Sequence, residues 1–528
     1  MTPAETIRLG RTTLGIELGS TRIKACLVDA DEPTRRLAAG SCEWQNAFVD
    51  RTWTYALDDV WRGVQAAYAD LAADVELRHG VRLDGVSAIG VSAMMHGYLA
   101  FDADGELLVP FRTWRNTTTG AAAAELTALF GVNIPLRWSI AHFHQAVLDD
   151  EPHVPRVHLL TTLAGYVHWR LTGRAVLGVG DASGMFPIDP ATHRYDRGLV
   201  DLFDRLDAAA LAGRSIADLL PRVLEAGEDA GTLSPAGAAL LDPTGTLRPG
   251  IPLCPPEGDA GTGMVATNAV TPRTGNVSAG TSIFAMVVLE RPLTRVHHEL
   301  DLVTTPAGDP VAMVHCNNGA SELAAWAGLF GRFAQATGAS LDADAVFGVL
   351  LREALDARAD AGGILAYNHL AGEPIAGLDE GRPLLVRTPD SELTLANLMR
   401  AQLYGLFGTL SLGMRVLAAE GAGIDRMVAH GGVFRTAGVA QRFLAAALDA
   451  PVVVGETAAE GGAWGIAVLA AYLLSPRAGL GRYLDEHVFG DADGELASPD
   501  PDDVAGYAAY LERYRSGLAV EAAAVTAL

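Results

Sequence analysis

Gly15-Ile16-Glu17-Leu18-Gly19-Ser20-Thr21 is an apolar run that ends in a turn of small and hydroxyl residues, and Val277-Ser278-Ala279-Gly280-Thr281-Ser282 repeats the arrangement in the other half of the chain. Each turn is entered from a short apolar segment (Thr13 to Leu18; Asn276 to Ser278) and left by another (Ile23 to Val28; Ile283 to Leu289). The pattern predicts strand, tight turn, strand: a hairpin whose tip offers backbone N–H groups with no bulky side chain in front of them. N–H groups collected in that way form a concavity for phosphate oxygens. In a chain with 58 glycines one such turn would be an ordinary hairpin. Two, one per half, predict a duplicated α/β fold that holds a polyphosphate between its halves.

Shortly before the second turn lies Pro256-Glu257-Gly258-Asp259-Ala260-Gly261-Thr262-Gly263-Met264, a carboxylate among small residues. Ala260 to Val270 reads as a helix, which sets Asp259 near a helix N-terminus, where aspartate is a common cap. The glycines and threonine around it also leave room for a ligand to approach the backbone.

The formal net charge of -24 disfavours nucleic-acid or anionic-membrane partners, which call for basic surface. Any phosphate site is therefore built locally from N–H groups, a few cations and a metal. Cys26, Cys42, Cys254 and Cys316 show no CxxC spacing and read as buried thiols in a reducing compartment. Met1 to Arg11 has no apolar signal core and no uncharged stretch reaches spanning length, so the expected location is cytoplasmic.

Along the chain, Leu57, Val60, Trp61, Val64, Tyr68 and Leu71 recur at helical spacing. Gly85 to Ser92 reads as a buried strand that runs into Ala93-Met94-Met95-His96-Gly97, and strand ends carrying a polar turn are where α/β folds place ligand contacts. Tyr98 to Phe101 with the Asp102–Gly105 turn predicts a following hairpin. Leu159 to Leu171 reads as a helix, and Asp181 starts a turn. Leu395 to Leu417 is a long apolar helix in which Gly405, Gly408 and Gly413 permit close packing. Met427-Val428-Ala429-His430-Gly431-Gly432 is a strand ending in a double glycine, and Glu460 to Leu474 is a closing helix. The predicted domains are 12–270, 271–475, and, past Pro476, a third segment, 476–528, with an acidic loop from Asp491 to Asp503 and a terminal helix from Val504 to about Val525.

With these segments in place, the chain resembles the FGGY carbohydrate kinases, which phosphorylate sugars or polyols with ATP. Gly15 to Lys24 is similar to the first phosphate motif and Ser278 to Ser282 to the second. Met95-His96-Gly97 is similar to a sugar-contacting turn of the xylulokinase-like branch, Gly258-Asp259 to the segment that bears the catalytic aspartate, and Gly431-Gly432 to the glycine pair under the nucleotide base. The resemblance implies a duplicated ribonuclease-H-like, actin-like ATPase fold with two domains and a central cleft, and often a homodimer. The sequence departs from the family at Glu17, where Asp is usual, so the carboxylate reaches one methylene further. Val433 to Gly438 lacks the polar pattern expected beside adenine, and His315-Cys316-Asn317-Asn318-Gly319 is unlike the xylulokinases.

Phosphoryl transfer to an alcohol needs positioning, charge neutralisation and a place for the hydroxyl proton. The expected roles follow. Asp259 is the general base and touches the acceptor. Glu17 holds Mg²⁺ through water. Ser20, Thr21, Lys24, Gly280, Thr281, Gly431 and Gly432 bind ATP. Met95, His96, Trp114 and Asn116 bind the sugar, His96 and Asn116 because both can donate and accept. The expected acceptor is a ketopentose such as xylulose or ribulose. A kinase of glycerol or gluconate and an actin-like or chaperone-like ATPase switch stay open as alternatives.

Overall fold

The computed structural model describes residues 1–455, 461–475, 479–490 and 494–528. Glu460, Pro476 and Asp491, named above, lie outside the described residues. The chain forms two compact units. One comprises Met1–Thr271, Leu302–Val311 and Glu460–Ala492, the other Pro272–Asp301, Ala312–Ala459 and Asp493–Leu528.

The first unit is built on strands β1 (Thr12–Leu18), β2 (Arg22–Asp29), β3 (Arg36–Glu43), β4 (Ala88–Ala93) and β5 (Glu257–Gly258), in the order β5-β4-β1-β2-β3. β1 runs antiparallel to β2, with Glu17 opposite Lys24, and parallel to β4, with Glu17 opposite Ser92. β5 extends the parallel side, with Gly258 opposite Ala93. All residues of β1 and β4 are buried, as expected of strands covered on both faces. Glycines let the covering helices touch the sheet. A Cβ on Gly40 would lie 2.3 Å from the Ala67 carbonyl of α1 (Leu57–His79), and one on Gly15, on the opposite face, 2.0 Å from the Ala463 carbonyl. The helix α2 (Asp259–Ala266) follows β5 directly, and it packs on the helix that contains Ala463.

The second unit carries β6 (Thr274–Ala279), β7 (Ile283–Val288), β8 (Asp301–Thr304), β9 (Pro310–Cys316), β10 (Arg426–His430), β11 (Val452–Val454) and β12 (Leu496–Ala497), in the order β8-β9-β7-β6-β10-β11-β12. β6 is antiparallel to β7 and parallel to β10, which is parallel to β11. The run β9-β7-β6-β10-β11 thus repeats β3-β2-β1-β4-β5, and each repeat opens with a hairpin. This is the duplicated α/β fold of the actin-like ATPase type. The helix α3 (Ser321–Ala336) follows β9, and α4 (Leu395–Ala419) lies buried along most of its length. The three glycines of α4 do face close neighbours: Cβ atoms there would meet the Ala366 carbonyl at 2.2 Å, the Tyr514 ring at 2.7 Å and Val314 Cγ1 at 2.4 Å. The helix α5 (Gly461–Leu474) belongs to the first unit. The terminal helix α6 (Pro501–Ala527) starts earlier than its apolar pattern suggests, because Asp500 caps it and Pro501 opens it.

Two sequence expectations change. The helix expected over Leu159 to Leu171 is split: Leu159–Thr161 is a strand, and Thr162 caps a helix over Leu163–Thr172 by accepting from Gly165 N at 3.1 Å. The apolar run hid the break because Thr161 and Thr162 suit a strand end and a cap equally. The strand Leu99–Phe101 pairs with Leu159–Thr161, and the expected local hairpin is reduced to two isolated bridges, Phe101 to Leu107 and Tyr98 to Arg112. No described helix is long and apolar enough to cross a membrane.

Candidate active site

The first turn owes its geometry to an aromatic pair that sequence reading missed. Trp44 and Tyr55 stack at 4.2 Å and together hold all three carbonyls of the turn. Trp44 Nε1 donates to Gly19 O at 2.7 Å, the Tyr55 hydroxyl to Ser20 O at 2.7 Å, and Trp44 N to Thr21 O at 3.2 Å. In a planar trans peptide the N–H points opposite to the C=O. Fixing the carbonyls of Gly19 and Ser20 on one side therefore turns the N–H groups of Ser20 and Thr21 to the other. Nothing in the spacing of Trp44 and Tyr55 marks them; only the fold brings them behind the turn.

Beside that turn, Glu17 is buried, with Oε2 accepting from Ala463 N at the start of α5 at 3.3 Å and facing Lys24 Nζ at 3.3 Å. Gly462 leaves the space: a Cβ there would lie 2.6 Å from Glu17 Oε1. The carboxylate sits at the N-terminus of α5. Lys24 is less buried than its partner and is tied to Glu17 across the strand pair.

Asp259 is the first residue of α2, with Gly258 as the cap, so its side chain is not spent on capping. Its Oδ1 accepts from Met95 N at 3.0 Å, which joins the Met95-His96-Gly97 turn to the carboxylate. The side chain is exposed to solvent although protein crowds it at longer range. Partial desolvation pushes it up to about 6; the Met95 N–H opposes the rise and the Glu17 charge adds to it. His96 is buried with φ +72, an uncommon conformation for a residue with a side chain, and its Nδ1 lies 3.4 Å from Gly184 O. Strain of this kind gathers at functional sites.

Beneath Asp259 lie two buried acids. Glu257 accepts from Gly180 N at 3.3 Å and Asp181 N at 2.9 Å, in space that the missing side chains of Gly178 and Gly180 vacate. Asp181 accepts from the Thr162 hydroxyl at 2.5 Å. Burial pushes Glu257 up to about 8 and Asp181 up to about 7, with their neighbouring charges adding to both. Asp181, read from sequence as the start of a turn, belongs to the framework that holds the end of β5. Glu257 was overlooked because a buried glutamate has no sequence signature.

Two of the expected sugar contacts are engaged within the protein. Asn116 donates through Nδ2 to Trp53 O and Thr113 O, both at 2.9 Å, and accepts from Trp53 N at 2.9 Å. Its amide braces Trp53. Trp114 is partly buried against the core, and the Arg115 guanidinium lies 5.3 Å from its ring and 5.3 Å from that of Trp53.

In the second unit, β6 and β10 run in parallel register with Ser278 opposite His430, which brings Gly431 beside Ala279 at the end of β6. Gly431 has φ +120, and a Cβ there would lie 2.1 Å from Ala279 O; only glycine fits both demands. Gly432 is open, with no atom within 4 Å of its would-be Cβ. Gly280 and Thr281 are exposed at the hairpin tip, closed by Gly280 N donating to Ser282 O at 2.9 Å.

Solved structures share this fold. A xylulose kinase from Rhodospirillum rubrum superposes with a TM-score of 0.77 at 19% identity, covering 97% of this chain and 99% of that one. A gluconate kinase from Lactobacillus acidophilus gives 0.77 at 17% identity, with 97% and 99% covered. A glycerol kinase from Plasmodium falciparum with ADP gives 0.73 at 12% identity, with 96% and 97% covered. No curated protein matches the sequence. The family models for the N-terminal and C-terminal domains of the FGGY carbohydrate kinases match residues 12–265 and 275–474. The chain therefore belongs to the FGGY family of carbohydrate kinases, with ATP as the phosphoryl donor.

Proposed function

We propose that the acceptor is a ketopentose of the xylulose or ribulose type and that Asp259 is the general base. The observation that carries the reading is the junction of Asp259 with the Met95-His96-Gly97 turn. An uncapped, solvent-open carboxylate is fixed by one backbone N–H beside a strained histidine. One oxygen of Asp259 stays fixed by Met95 while the other meets the attacking hydroxyl. The carboxylate takes the proton as the bond to phosphorus forms, since it is too weak a base to ionise an alcohol beforehand. An upward-shifted carboxylate is a better base and is still charged at neutral pH. His96 donates and accepts toward the other hydroxyls, and the apolar face of Trp114 lies against sugar C–H groups.

The N–H groups of Ser20 and Thr21 and those of the Gly280–Thr281 turn bind phosphate oxygens, with Lys24 supplying a positive charge. Gly431 and Gly432 leave room for the base and ribose. Glu17 would hold Mg²⁺ through water. The donor set suits that ion, a hard cation content with one or two carboxylates. When bound, Mg²⁺ neutralises charge on the transferring phosphate. Among the structures sharing the fold are proteins described as xylulose, gluconate and glycerol kinases, and the Met-His-Gly turn favours the first. A screen of pentuloses, hexuloses, polyols and sugar acids for ADP release tests the reading. A pentulose should give the highest kcat/KM; a higher value with gluconate or glycerol would refute the ketopentose assignment.

A further inference from the structure

The segment His315-Cys316-Asn317-Asn318-Gly319, which departs from the family pattern, lies behind the second phosphate turn, and its hydrogen bonds explain its composition. Asn318 is buried and its side chain is fully committed. Oδ1 accepts from Leu370 N at 2.8 Å and Ala371 N at 2.9 Å, while Nδ2 donates to Ala371 O and to Glu373 Oε2, both at 3.0 Å. Asn318 N also donates to Glu373 Oε2 at 3.2 Å. Only an amide supplies two acceptor positions and two donors in one plane. Aspartate here would set a second carboxylate against the buried Glu373.

The residues that follow meet the turn. Ala320 N donates to Gly280 O at 2.8 Å. A Cβ on Gly319 would lie 2.3 Å from Gly280 O and 2.8 Å from Thr281 O. Asn368 Nδ2 donates to Gly319 O at 3.0 Å and closes the bracket from the other side. By peptide planarity, holding Gly280 O toward Ala320 aims the N–H of Thr281 the opposite way. The first turn reaches the same result with Trp44 and Tyr55. The second uses Gly319 and Ala320, anchored by Asn318.

We propose that Asn318, clamped by Glu373, is a positioning residue for the donor nucleotide: it locks Gly319 and Ala320 under the Gly280–Thr281 turn and so orients the Thr281 N–H toward phosphate. This rests on the reading of Gly280 and Thr281 as phosphate contacts. Its purpose is preorganisation, since an amide already aimed at an anion has no reorientation to undergo on binding.

The test is equilibrium binding of AMP, ADP and the β,γ-imido analogue of ATP to the full-length protein and to Asn318→Ala and Gly319→Ala. A hydrogen bond to a charged group contributes about ten- to hundredfold in affinity. Both variants should bind AMP within about twofold of the parent and lose about tenfold or more of the gain that the further phosphates confer. A gain equal to the parent's in a folded Gly319→Ala protein overturns the proposal, even where Asn318→Ala fails to fold. A parent protein that binds the analogue no tighter than AMP overturns the phosphate reading itself, an outcome distinct from the first.

Discussion

Asp259→Asn separates the chemical role of this residue from its structural one. The amide oxygen can still accept the Met95 N–H that now reaches Oδ1 at 3.0 Å, so the junction with the Met95-His96-Gly97 turn survives. The nitrogen cannot take a proton from a hydroxyl. Loss of a general base costs about 10²–10⁴-fold in rate, and at 1.36 kcal/mol per decade that is about 2.7–5.4 kcal/mol of barrier. Stability should move the other way. Partial desolvation raises Asp259 from 3.8 to about 6, so the folded protein binds a proton that the unfolded chain has released. As pH climbs through that window, ionising Asp259 weakens the fold, and the uncharged amide removes the penalty. At pH 7.5 the variant should bind ADP as the parent does, melt at an equal or higher temperature, and turn over at least a hundredfold more slowly, by about the factor given above. Turnover within threefold or so of the parent would refute the base assignment. A lower melting temperature with weakened ADP binding would show that Asp259 is mainly structural.

Other outcomes follow from the same geometry. With Asp259 active as the anion, kcat/KM for the acceptor should fall as pH drops below about 6, and that acid limb should vanish in the residual activity of Asp259→Asn. Gly431→Ala sets a methyl 2.1 Å from Ala279 O at φ +120; it should cost about 1–3 kcal/mol in urea unfolding and raise KM for ATP. Tyr55→Phe keeps the stack on Trp44 but removes the donor to Ser20 O. KM for ATP should rise about two- to tenfold, with the acceptor KM unchanged. Glu17→Gln should raise the free Mg²⁺ needed for half-maximal rate by about 10–100-fold, measured by titrating Mg²⁺ at fixed ATP.

The hairpins were legible because glycine and hydroxyl residues at a strand end have few other uses, and the duplication was legible because the same grammar occurs twice. The place of Asp259 at a helix start was legible through its small neighbours. What escaped was everything that depends on residues distant in sequence. Trp44 and Tyr55 look like core aromatics until the fold places them behind the turn. Asn116 has the chemistry of a sugar contact, but its bonds to Trp53 and Thr113 leave no mark in the sequence. Glu257 and Asn318 are polar residues whose partners lie 76 and 55 positions away, Asp181 and Glu373 respectively. Local pattern marks most strands and turns, though not the break at Thr162; it holds no record of which polar groups the packing will satisfy.

The most direct measurement is the fate of a γ-labelled phosphate. With ATP, Mg²⁺ and a pentulose, the label should appear in the sugar ester, at a rate that depends on the pentulose and collapses in Asp259→Asn. Label released only as free phosphate, at a rate indifferent to added sugar, would contradict transfer to an acceptor hydroxyl at this site.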